Sequence, residues 1–373
     1  MKKCNSIEKF YGIIEQKLSL KWKKYYKSLF VLFAYNSTGK TLISSHLNYE
    51  NTLCYNSFFE DLLIWNNENV LIFNYDEFDS NILEFMSDEG LDEEIKKKFY
   101  EFVSDDIAVD INFQSGSIYF YIANDIDILS GENPRKKIKI SRAEETIFKF
   151  SIFYVLLDRA LLDIEENGKN SFFNKYKLII IDDPTSNLDD GNIIRLADQI
   201  ANLYNEYKFK HKVKFLIETH NVLFLDILKN NLLNKKRGEK NLKFINIYRL
   251  SKVNGEFYYS NIKSSQVAYH LDIKDQLDII MKQEFISKRA YNLFRILTEK
   301  HSTYMGLPSF SHCIRLNNDK DKDSLVRFLN HYSHGNLSEI EHDYISEKDS
   351  EVLKEAYYNF INDYGWSDQK WVV

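Results

Sequence analysis

The sequence predicts an α/β domain followed by a mostly α-helical domain, and three observations support this prediction. Residues 177–181 (KLIII) and 213–217 (VKFLI) are continuous apolar runs, which are typical of parallel strands buried on both faces. Another apolar run at residues 27–34 leads into a loop of the kind that binds phosphate. Beyond residue 260 the apolar spacing becomes helical and continues to the end of the chain.

Local patterns predict the remaining elements. Residues 69–75 (NVLIFNY) indicate a strand, and residues 110–123 indicate a hairpin around Ser115-Gly116. From Ser141 to about Asp163 the apolar residues recur at helical spacing. Residues 244–260 form two alternating runs across Asn254-Gly255, a strong hairpin signal. Because the pattern changes after this hairpin, we expect one domain at residues 1–260 and a second at 261–373.

Composition excludes several classes of protein. The chain has 373 residues, 15% of them aromatic, with few Gly and Pro, so we expect an ordered globular protein. No stretch of 18 apolar residues occurs, and the N-terminus lacks the apolar core of a signal peptide, so we expect no membrane association. Cys4, Cys54 and Cys313 form neither a disulfide framework nor a metal-binding pair, which favours a reducing cytoplasm.

Charge is distributed unevenly along the second domain. The net charge of the chain is −6, which argues mildly against a general nucleic-acid binder. Residues 261–335, however, carry 11 Lys and Arg against 8 Asp and Glu, whereas residues 336–373 carry 3 against 9. A polyanion could bind the basic segment locally, although solvated helix faces would give the same counts.

The stretch from Ala34 to Thr41 has the spacing of a P-loop, with Ala34 in the first glycine position. Such a loop wraps backbone N–H groups around phosphate oxygens at the start of a helix. Lys40 would reach the β and γ phosphates, and the Thr41 hydroxyl would bind Mg²⁺. The predicted nucleotide-binding residues of this loop are Asn36, Ser37, Thr38, Gly39, Lys40 and Thr41.

A pair of acidic residues ends the apolar run at residues 177–181. Asp182 would bind the Mg²⁺, and Asp183 could orient an attacking water. The plain alternative is a strand that ends in an Asp-Pro turn. Since unpaired buried charges are costly, two adjacent acids at the end of a buried strand favour the functional interpretation.

Four further residues complete an ordered set of motifs. Ser141 precedes an amphipathic helix with Glu144 three residues later, which by itself predicts a capping box. Asp189 lies in the segment TSNLDD, and His220 follows the run at residues 213–217. The order of loop, Ser141 segment, Asp-Asp pair, TSNLDD and His resembles the ABC ATPase superfamily. That resemblance implies a homodimer or higher homo-oligomer in which Ser141, Ala143 and Glu144 of one subunit complete the nucleotide site of another.

A closer resemblance covers nearly the whole chain. The segments LFAYNSTGKTLIS, YNSFFEDLLIW, IKISRAEETIFKFSIFYVLL, IDDPTSNLDD, AYHLDIKDQLD, NLFRILTEKHSTYMGLP and NHYSHGNLS follow the order found in bacterial tRNA anticodon nucleases of the PrrC type. This resemblance implies an ABC-like ATPase that regulates a C-terminal ribonuclease acting on tRNA. It also implies a role in antiphage defence, with a restriction-modification complex as silencer. The catalytic residues of that family match Arg295, Glu299 and His334.

These three residue types can perform RNA cleavage without a metal. Arg295 and Glu299 are four residues apart, hence on one helix face. A carboxylate can take the proton of the ribose 2′-OH, arginine can stabilise the charge on the phosphate, and a histidine can protonate the departing 5′-oxygen. The products would be a 2′,3′-cyclic phosphate and a 5′-hydroxyl. Without the resemblance, Arg295 and Glu299 would be interpreted as a surface ion pair.

Weaker suggestions concern RNA contacts. Unpaired bases could stack on aromatic side chains, and phosphates could meet cationic ones. The candidates are Tyr269, His270 and Tyr332 for stacking and Lys288, Arg289 and Lys300 for phosphates. We expect anticodon-loop contacts in residues 261–270. For each of these residues an ordinary core or surface position is the alternative.

The chain departs from its relatives at two glycine positions. Ser37 replaces a loop glycine, and Ala143 replaces the glycine after Ser141. A non-glycine residue costs on the order of 1 kcal/mol where φ must be positive. Asp183 is also shorter than the Glu usual in ABC enzymes. We therefore expect the loop to bind ATP, GTP or another NTP with Mg²⁺, and to hydrolyse it slowly as a regulatory state.

Two other functions remain open from the sequence. One is an ABC-type ATPase switch of an antiphage complex whose C-terminal domain only binds a partner. The other is a recombination-type ATPase that acts on DNA ends. Because Ser141 follows Thr41 by only 100 residues, the chain has no room for the long coiled-coil arm of such enzymes.

Overall fold

The structure is a computed structural model. It describes residues 2–4, 6–18, 28–47, 51–55, 63–74, 80–103, 106–122, 136–207, 213–233, 245–253, 255–262, 269–331 and 344–364. The strands are β1 (Lys2–Cys4), β2 (Leu29–Ala34), β3 (Thr52–Tyr55), β4 (Leu63–Trp65), β5 (Leu71–Phe73), β6 (Ile107–Asn112), β7 (Ser117–Ile122), β8 (Leu178–Asp182), β9 (Lys214–Thr219), β10 (Ile245–Val253) and β11 (Glu256–Asn261).

The helices follow the same chain order. They are α1 (Ile7–Leu18), α2 (Lys40–Leu47), α3 (Ser80–Asp88), α4 (Asp92–Tyr100), α5 (Arg142–Asn167), α6 (Asp190–Tyr207), α7 (Val222–Leu233), α8 (Tyr269–Ile280), α9 (Arg289–Tyr304), α10 (Asp319–His331) and α11 (Glu347–Asp363). Short 3-10 turns occur at Gly168–Asn170, Phe172–Lys175 and Phe310–Cys313.

The main sheet has the strand order β1-β11-β10-β2-β9-β8-β3. Its strands from β10 to β3 are parallel. Every residue of β2 and of β9 is buried, which explains why the apolar residues of these strands are consecutive rather than alternating; Lys214, Glu218 and Thr219 of β9 are buried polar exceptions. The strands predicted at residues 177–181 and 213–217 are confirmed as β8 and β9. The pairing of β3 with β8 was not predicted, because four residues (TLCY) carry too little pattern.

A second, antiparallel sheet has the order β4-β5-β7-β6. The predicted hairpin around Ser115-Gly116 is confirmed as β6–β7, with Gly116 at a φ of 63° in the turn. The strand expected at residues 69–75 is shorter and spans Leu71–Phe73. Trp65 of β4 donates a hydrogen bond to Glu145 at 2.8 Å, and this contact joins the antiparallel sheet to the first turn of α5.

Helix α5 begins as the sequence predicts. The hydroxyl of Ser141 accepts from the backbone N–H of Glu144, and the carboxylate of Glu144 accepts from the backbone N–H of Ser141. This capping box satisfies two N–H groups that the first turn of a helix leaves without partners. The helix continues through 26 residues, and most of its first half is buried.

The chain divides into two compact units. The first comprises Met1–Leu250 and Tyr259–Ser264, and the second comprises Ser251–Tyr258 and Ser265–Val373. The division runs through the hairpin of β10 and β11, whose Gly255 has a φ of 81°; Asn254 lies outside the described residues. In the second unit, helices α8 to α11 enclose one apolar core, which includes Leu277, Phe294, Leu297, Leu329, Tyr357 and Phe360.

Among the described residues, no helix is both long and apolar enough to cross a membrane.

The buried Lys214 at the start of β9 should make the folding stability of the protein depend on pH. It is 4% exposed and donates a hydrogen bond to the carbonyl of Leu18. Burial lowers the pKa of Lys214 from 10.5 to about 8. Between these values the unfolded chain binds more protons than the folded chain, so this group adds stability as pH rises.

We therefore expect the wild type to gain stability relative to Lys214→Met as pH rises from about 8 to about 10. Urea unfolding of both proteins across this range measures the difference. Lys177→Met, at an exposed lysine near the same edge of the sheet, is the control and should show no such trend. A difference between wild type and Lys214→Met that stays constant with pH would contradict the prediction.

Candidate functional site

The candidate nucleotide site lies where three neighbouring parallel strands end. The loop of residues 35–39 joins β2 to α2, Asp182 is the last residue of β8, and Glu218 is the residue before the end of β9. Since β2, β9 and β8 are adjacent and parallel, their carboxyl ends meet at one edge of the sheet. Asp182 and Glu218 are aligned with each other in the ladder between β8 and β9.

Lys40 is the first residue of α2 and is buried. Its Nζ donates to the carbonyl of Ala34 at 2.9 Å and to Oδ1 of Asn36 at 3.3 Å. The same nitrogen lies 3.6 Å from Oδ2 of Asp183. The ammonium group is therefore held over the loop by oxygen atoms, in the position from which the lysine of a P-loop contacts phosphate.

The loop contains two residues with positive φ. Gly39 has a φ of 106°, which residues with a Cβ rarely adopt, and a Cβ at this position would also displace Cδ1 of Ile7. Ser37 has a φ of 62°. A serine in this left-handed region carries the strain that the sequence analysis expected if φ were positive. Ala143 lies within helix α5 and does not carry this strain.

Two carboxyl groups face each other beside the loop. Asp182 accepts a hydrogen bond from the hydroxyl of Ser44 at 2.8 Å. Burial is the main reason why the pKa of Asp182 is raised, and the negative charge of Asp183 adds to this shift. Glu218 is 0% exposed, and burial together with the charge of Asp182 raises the pKa of Glu218 well above its usual value. Glu218 is the more deeply buried of the two carboxyl groups, and burial favours the neutral form of a carboxyl group.

Asp183 is held by two cationic or polar partners. Its Oδ2 lies 2.6 Å from Nδ1 of His220, and Lys40 is the other partner. Burial alone would raise the pKa of Asp183, but hydrogen bonds from His220 and the charge of Lys40 outweigh it and lower the pKa. Asp183 also has a φ of 50°, which is uncommon for a residue other than glycine. The structure thus brings together Lys40, Asp183 and His220.

A cavity of about 400 Å³ opens beside these groups. Its lining residues are Asn36, Ser37, Gly39, Lys40, Thr41, Leu42, Asp182, Asp183 and Ser186. Among the described residues, no cluster of three His, Cys, Asp or Glu side chains could hold a metal ion by itself. The donors present fit Mg²⁺ bound together with a nucleotide, because Mg²⁺ takes one or two protein oxygens and completes its shell with phosphate and water. Thr41 and Asp182, the residues predicted to bind Mg²⁺, both line this cavity, and their role as ligands stays a prediction.

The other predicted nucleotide residues lie on separate elements of the first unit. Ser141 and Glu144 form the capping box of α5, and Ala143 is in its first turn. Asp189 precedes α6, where its carboxylate accepts from the backbone N–H of Asn192 at 3.0 Å; this contact is the main reason why the pKa of Asp189 is lowered. No hydrogen bond or ion pair within the described part of the chain joins these residues to Lys40.

In the second unit, Arg295 and Glu299 lie one turn apart on α9. NH2 of Arg295 donates to Oε1 of Glu299 at 2.6 Å. The side chain of Arg295 is 16% exposed, whereas that of Glu299 is 49% exposed. The guanidinium carbon lies 3.7 Å from the ring centre of Phe310, and NH1 donates to Oδ1 of Asn330. The arginine is thus nearly covered, and its glutamate partner remains accessible to solvent.

Some predicted residues of the second unit lie outside the described residues, and the proposed roles of the others stay predictions. His334, Tyr332 and the side chain of Tyr269 lie outside the described residues. His270 and Lys300 are exposed. Arg289 donates to Oε1 of Gln276 at 2.9 Å, and Lys288 precedes α9. The suggested RNA contacts of these residues stay predictions.

Four residues of the two sites were missed by sequence reasoning. Glu218 gave a signal, because an acid within the apolar stretch FLIETHN must be paired or neutral when buried. Ser44 lies four residues after Lys40 and therefore on the same face of α2. Phe310 and Asn330 gave no signal, since their contacts with Arg295 join residues distant in the sequence.

These observations describe a P-loop nucleotide site on a mostly parallel sheet, in a chain whose second unit is helical and carries a clustered Arg–Glu pair. No family profile matches the sequence. The protein named anticodon nuclease from Escherichia coli is 28% identical over 340 residues, which are 83% of this chain and 82% of that protein. The resemblance to anticodon nucleases that the motifs predicted is therefore confirmed over most of the chain.

Solved structures of SMC head domains are similar to parts of the chain. An SMC head bound to the C-terminal winged-helix domain of ScpA has a TM-score of 0.32 and 13% identity, and the match covers 58% of this chain and 57% of that one. The SMC head domain from Thermotoga maritima has a TM-score of 0.27 and 11% identity, over 64% of this chain and 91% of that one. Similarity at these TM-scores is too weak to define the fold of this chain. The fold is defined by the strand order described above.

The strain at Ser37 predicts that Ser37→Gly stabilises the protein. Glycine adopts a positive φ without cost, and we expect a gain of about 0.5–1 kcal/mol in the free energy of unfolding. Urea unfolding measures this change. Ala143→Gly is the control, because introducing glycine into a helix should destabilise by about 0.5–1 kcal/mol. Destabilisation of similar size by both substitutions would contradict the assignment of strain to Ser37.

Proposed function

We propose that this protein is an NTP-gated endoribonuclease that cuts tRNA in the anticodon loop. The observation that carries the proposal is the cluster of Arg295 and Glu299 on α9, in which a cation and a solvent-accessible carboxylate are in contact. The similarity to an anticodon nuclease over 83% of the chain supports it. We assign residues 1–260 to an ABC-type nucleotide-binding domain and residues 261–373 to the nuclease domain.

The proposed cleavage is a transfer of the phosphoryl group within the RNA. Glu299 takes the proton of a ribose 2′-OH, and the 2′-oxygen forms a bond to the adjacent phosphorus. Arg295 stabilises the negative charge that develops on the non-bridging oxygens. His334 gives its proton to the departing 5′-oxygen as the P–O5′ bond breaks. The products are a 2′,3′-cyclic phosphate and a 5′-hydroxyl, and the step uses no metal ion.

The nucleotide site is proposed as the regulator of this activity. Bound Mg²⁺ would neutralise part of the phosphate charge, with Thr41 and Asp182 as its protein ligands. Lys40 would move from its contact with Asp183 to the phosphates, and the Asp183–His220 contact would respond to that loss. Since Asp183 is engaged by His220, we propose slow hydrolysis of ATP, GTP or another NTP. The bound nucleotide would then mark a regulatory state of the protein, and its hydrolysis would not supply energy for mechanical work.

Assembly and partners complete the proposal. In a head-to-tail dimer, Ser141, Ala143 and Glu144 of one subunit would face the nucleotide held by Lys40 of the other, with Asp189 and His220 nearby. The three cysteines are free, in keeping with a reducing cytoplasm. We propose a role in antiphage defence, in which a restriction-modification complex keeps the nuclease silent until it is released.

A second candidate is an ABC-type switch of an antiphage complex whose helical unit only binds a partner. The contact that favours it is the Arg295–Glu299 pair itself, because i,i+4 ion pairs are common on helix surfaces without any catalytic role. Only the nuclease requires Arg295, Glu299 and His334 to act on one phosphate.

Nucleotide binding provides one test of the proposal. Lys40→Ala should weaken NTP–Mg²⁺ binding by about 100-fold or more, because it removes the charge closest to the phosphates. Lys98→Ala removes a half-buried lysine that pairs with Glu101 and does not line the cavity, and this variant should bind as the wild type does. Titration of the full-length proteins with a fluorescent NTP measures both constants. Equal affinity of Lys40→Ala and Lys98→Ala would refute a P-loop nucleotide site.

RNA cleavage provides the second test. End-labelled total tRNA is incubated with purified protein, NTP and Mg²⁺, and we expect half-length fragments with cyclic-phosphate ends. His334→Ala, Glu299→Gln and Arg295→Ala should each reduce cleavage by about 100-fold or more. Arg327→Ala, at an exposed arginine of α10, is the matched control and should cleave normally.

The outcomes of this test separate the two candidates. Fragments that depend on all three residues support the nuclease. Intact tRNA with every NTP, together with measurable NTP binding, would favour the partner-binding switch instead. Fragments that persist in all three variants would come from another nuclease and would also count against the proposal.

A further inference from the structure

The guanidinium group of Arg295 is held from three sides. Glu299 accepts from NH2 at 2.6 Å, Asn330 accepts from NH1, and the ring of Phe310 lies against one face at 3.7 Å. The face of an aromatic ring attracts a cation placed over it. The two hydrogen bonds further limit how the guanidinium can turn.

Phe310 is itself firmly placed. It begins the 3-10 turn Phe310–Cys313 and is buried at 7% exposure. The hydroxyl of Ser309 accepts from the backbone N–H of Ser311 at 3.3 Å, and the thiol of Cys313 lies 3.7 Å from the carbonyl of Thr298 on α9. The turn that supplies the ring is therefore joined to the same helix as Arg295.

Asn330 lies one residue before the end of α10 and four residues before His334. Its hydrogen bond to Arg295 connects α9, which carries Arg295 and Glu299, to the end of the helix from which the chain continues to His334. An amide oxygen can orient the arginine without neutralising its charge, whereas a second carboxylate would compete with a phosphate for the cation.

We propose that Asn330 is a positioning residue of the nuclease and that Phe310 supports it. This inference rests on the function proposed above. Asn330 holds the guanidinium in the orientation that receives the scissile phosphate while Glu299 is drawn to the 2′-OH. Without Asn330 the guanidinium loses one of its two hydrogen-bond acceptors, and only Glu299 and the ring of Phe310 still orient it. Positional errors of this kind affect the chemical step more than substrate binding.

The expected effect is a lower rate constant with little change in substrate affinity. Under single-turnover conditions with tRNA and NTP, Asn330→Ala should cleave about 10–100-fold more slowly at saturating enzyme, with a half-saturating concentration within about twofold of wild type. Asn330→Asp retains an oxygen acceptor for Arg295 and should keep the guanidinium oriented, but its negative charge should compete with the phosphate for that cation. Its cleavage rate should therefore lie between those of the wild type and Asn330→Ala. Phe310→Leu, which keeps an apolar contact without a ring, should also be slower than wild type.

The matched control is Asn359→Ala. Asn359 lies on α11 of the same unit and donates to the carbonyl of Arg315 at 3.0 Å, so the variant loses one hydrogen bond between elements away from Arg295. Asn330 is exposed, and we expect both alanine variants to unfold at the temperature of the wild type or close to it.

A second readout distinguishes positioning from general stability. Arg295→Ala leaves a gap between Phe310, Glu299 and Asn330, and added guanidinium ion at concentrations that do not unfold the protein should restore part of the cleavage. The double variant Arg295→Ala/Asn330→Ala lacks the acceptor that orients the ion and should be rescued much less. Arg295→Ala/Asn359→Ala should be rescued as well as Arg295→Ala alone. A variant that is merely less stable would not lose rescue selectively.

The results separate this inference from the proposed function. If wild type cleaves tRNA while Asn330→Ala matches Asn359→Ala in rate and in rescue, the role of Asn330 is refuted and the nuclease stands. If Asn330→Ala changes only the half-saturating concentration, Asn330 contacts substrate and the positioning role is also refuted. If wild type does not cleave any tRNA, both proposals are overturned.

Discussion

The first unit depends on the charge balance around one buried ammonium group. Lys40 lies 3.6 Å from Asp183, and its charge also acts on Asp182 and Glu218, so these three acids can lie together only if their charges are reduced or paired. Burial raises the pKa of Glu218, which favours its neutral form, and Asp183 is paired with Lys40 and His220. A nucleotide would bring further negative charge and would take Lys40 from Asp183. Under the proposed function, His220 would then be the remaining partner of Asp183, and their contact is where we expect the nucleotide to be sensed.

The second unit presents a cation in a comparable way. Arg295 is nearly covered, stacked on Phe310 and bonded to Glu299 and Asn330 before any substrate is bound. Preorganisation of this kind reduces the cost of ordering a flexible side chain when a phosphate arrives. In both units, oxygen acceptors hold a cationic side chain where the proposed function requires a phosphate to bind. The carboxylate in contact with this cation is that of Asp183 in the first unit and that of Glu299 in the second. Both residues have a proposed role, Asp183 at the nucleotide site and Glu299 in RNA cleavage.

Much of the fold follows from local sequence patterns. The buried strands β8 and β9, the β6–β7 hairpin and the capping box of α5 were all predicted, because each is encoded by neighbouring residues. Strand β3 was missed, since four residues show no periodicity and its place depends on pairing with β8. Ser37 and Ala143 looked alike in sequence as replacements of glycine, but only Ser37 has positive φ because Ala143 lies within a helix.

The sequence by itself determined which residues could do chemistry. The spacing around Lys40, the Asp182-Asp183 pair and the four-residue interval between Arg295 and Glu299 are all local features that spacing rules can interpret. Only the tertiary structure decided that Glu218 faces Asp182, that His220 binds Asp183, and that Phe310 and Asn330 hold Arg295. These contacts join residues far apart in the chain. Strand order and helix packing bring them together, and neither is written in the periodicity of any single segment.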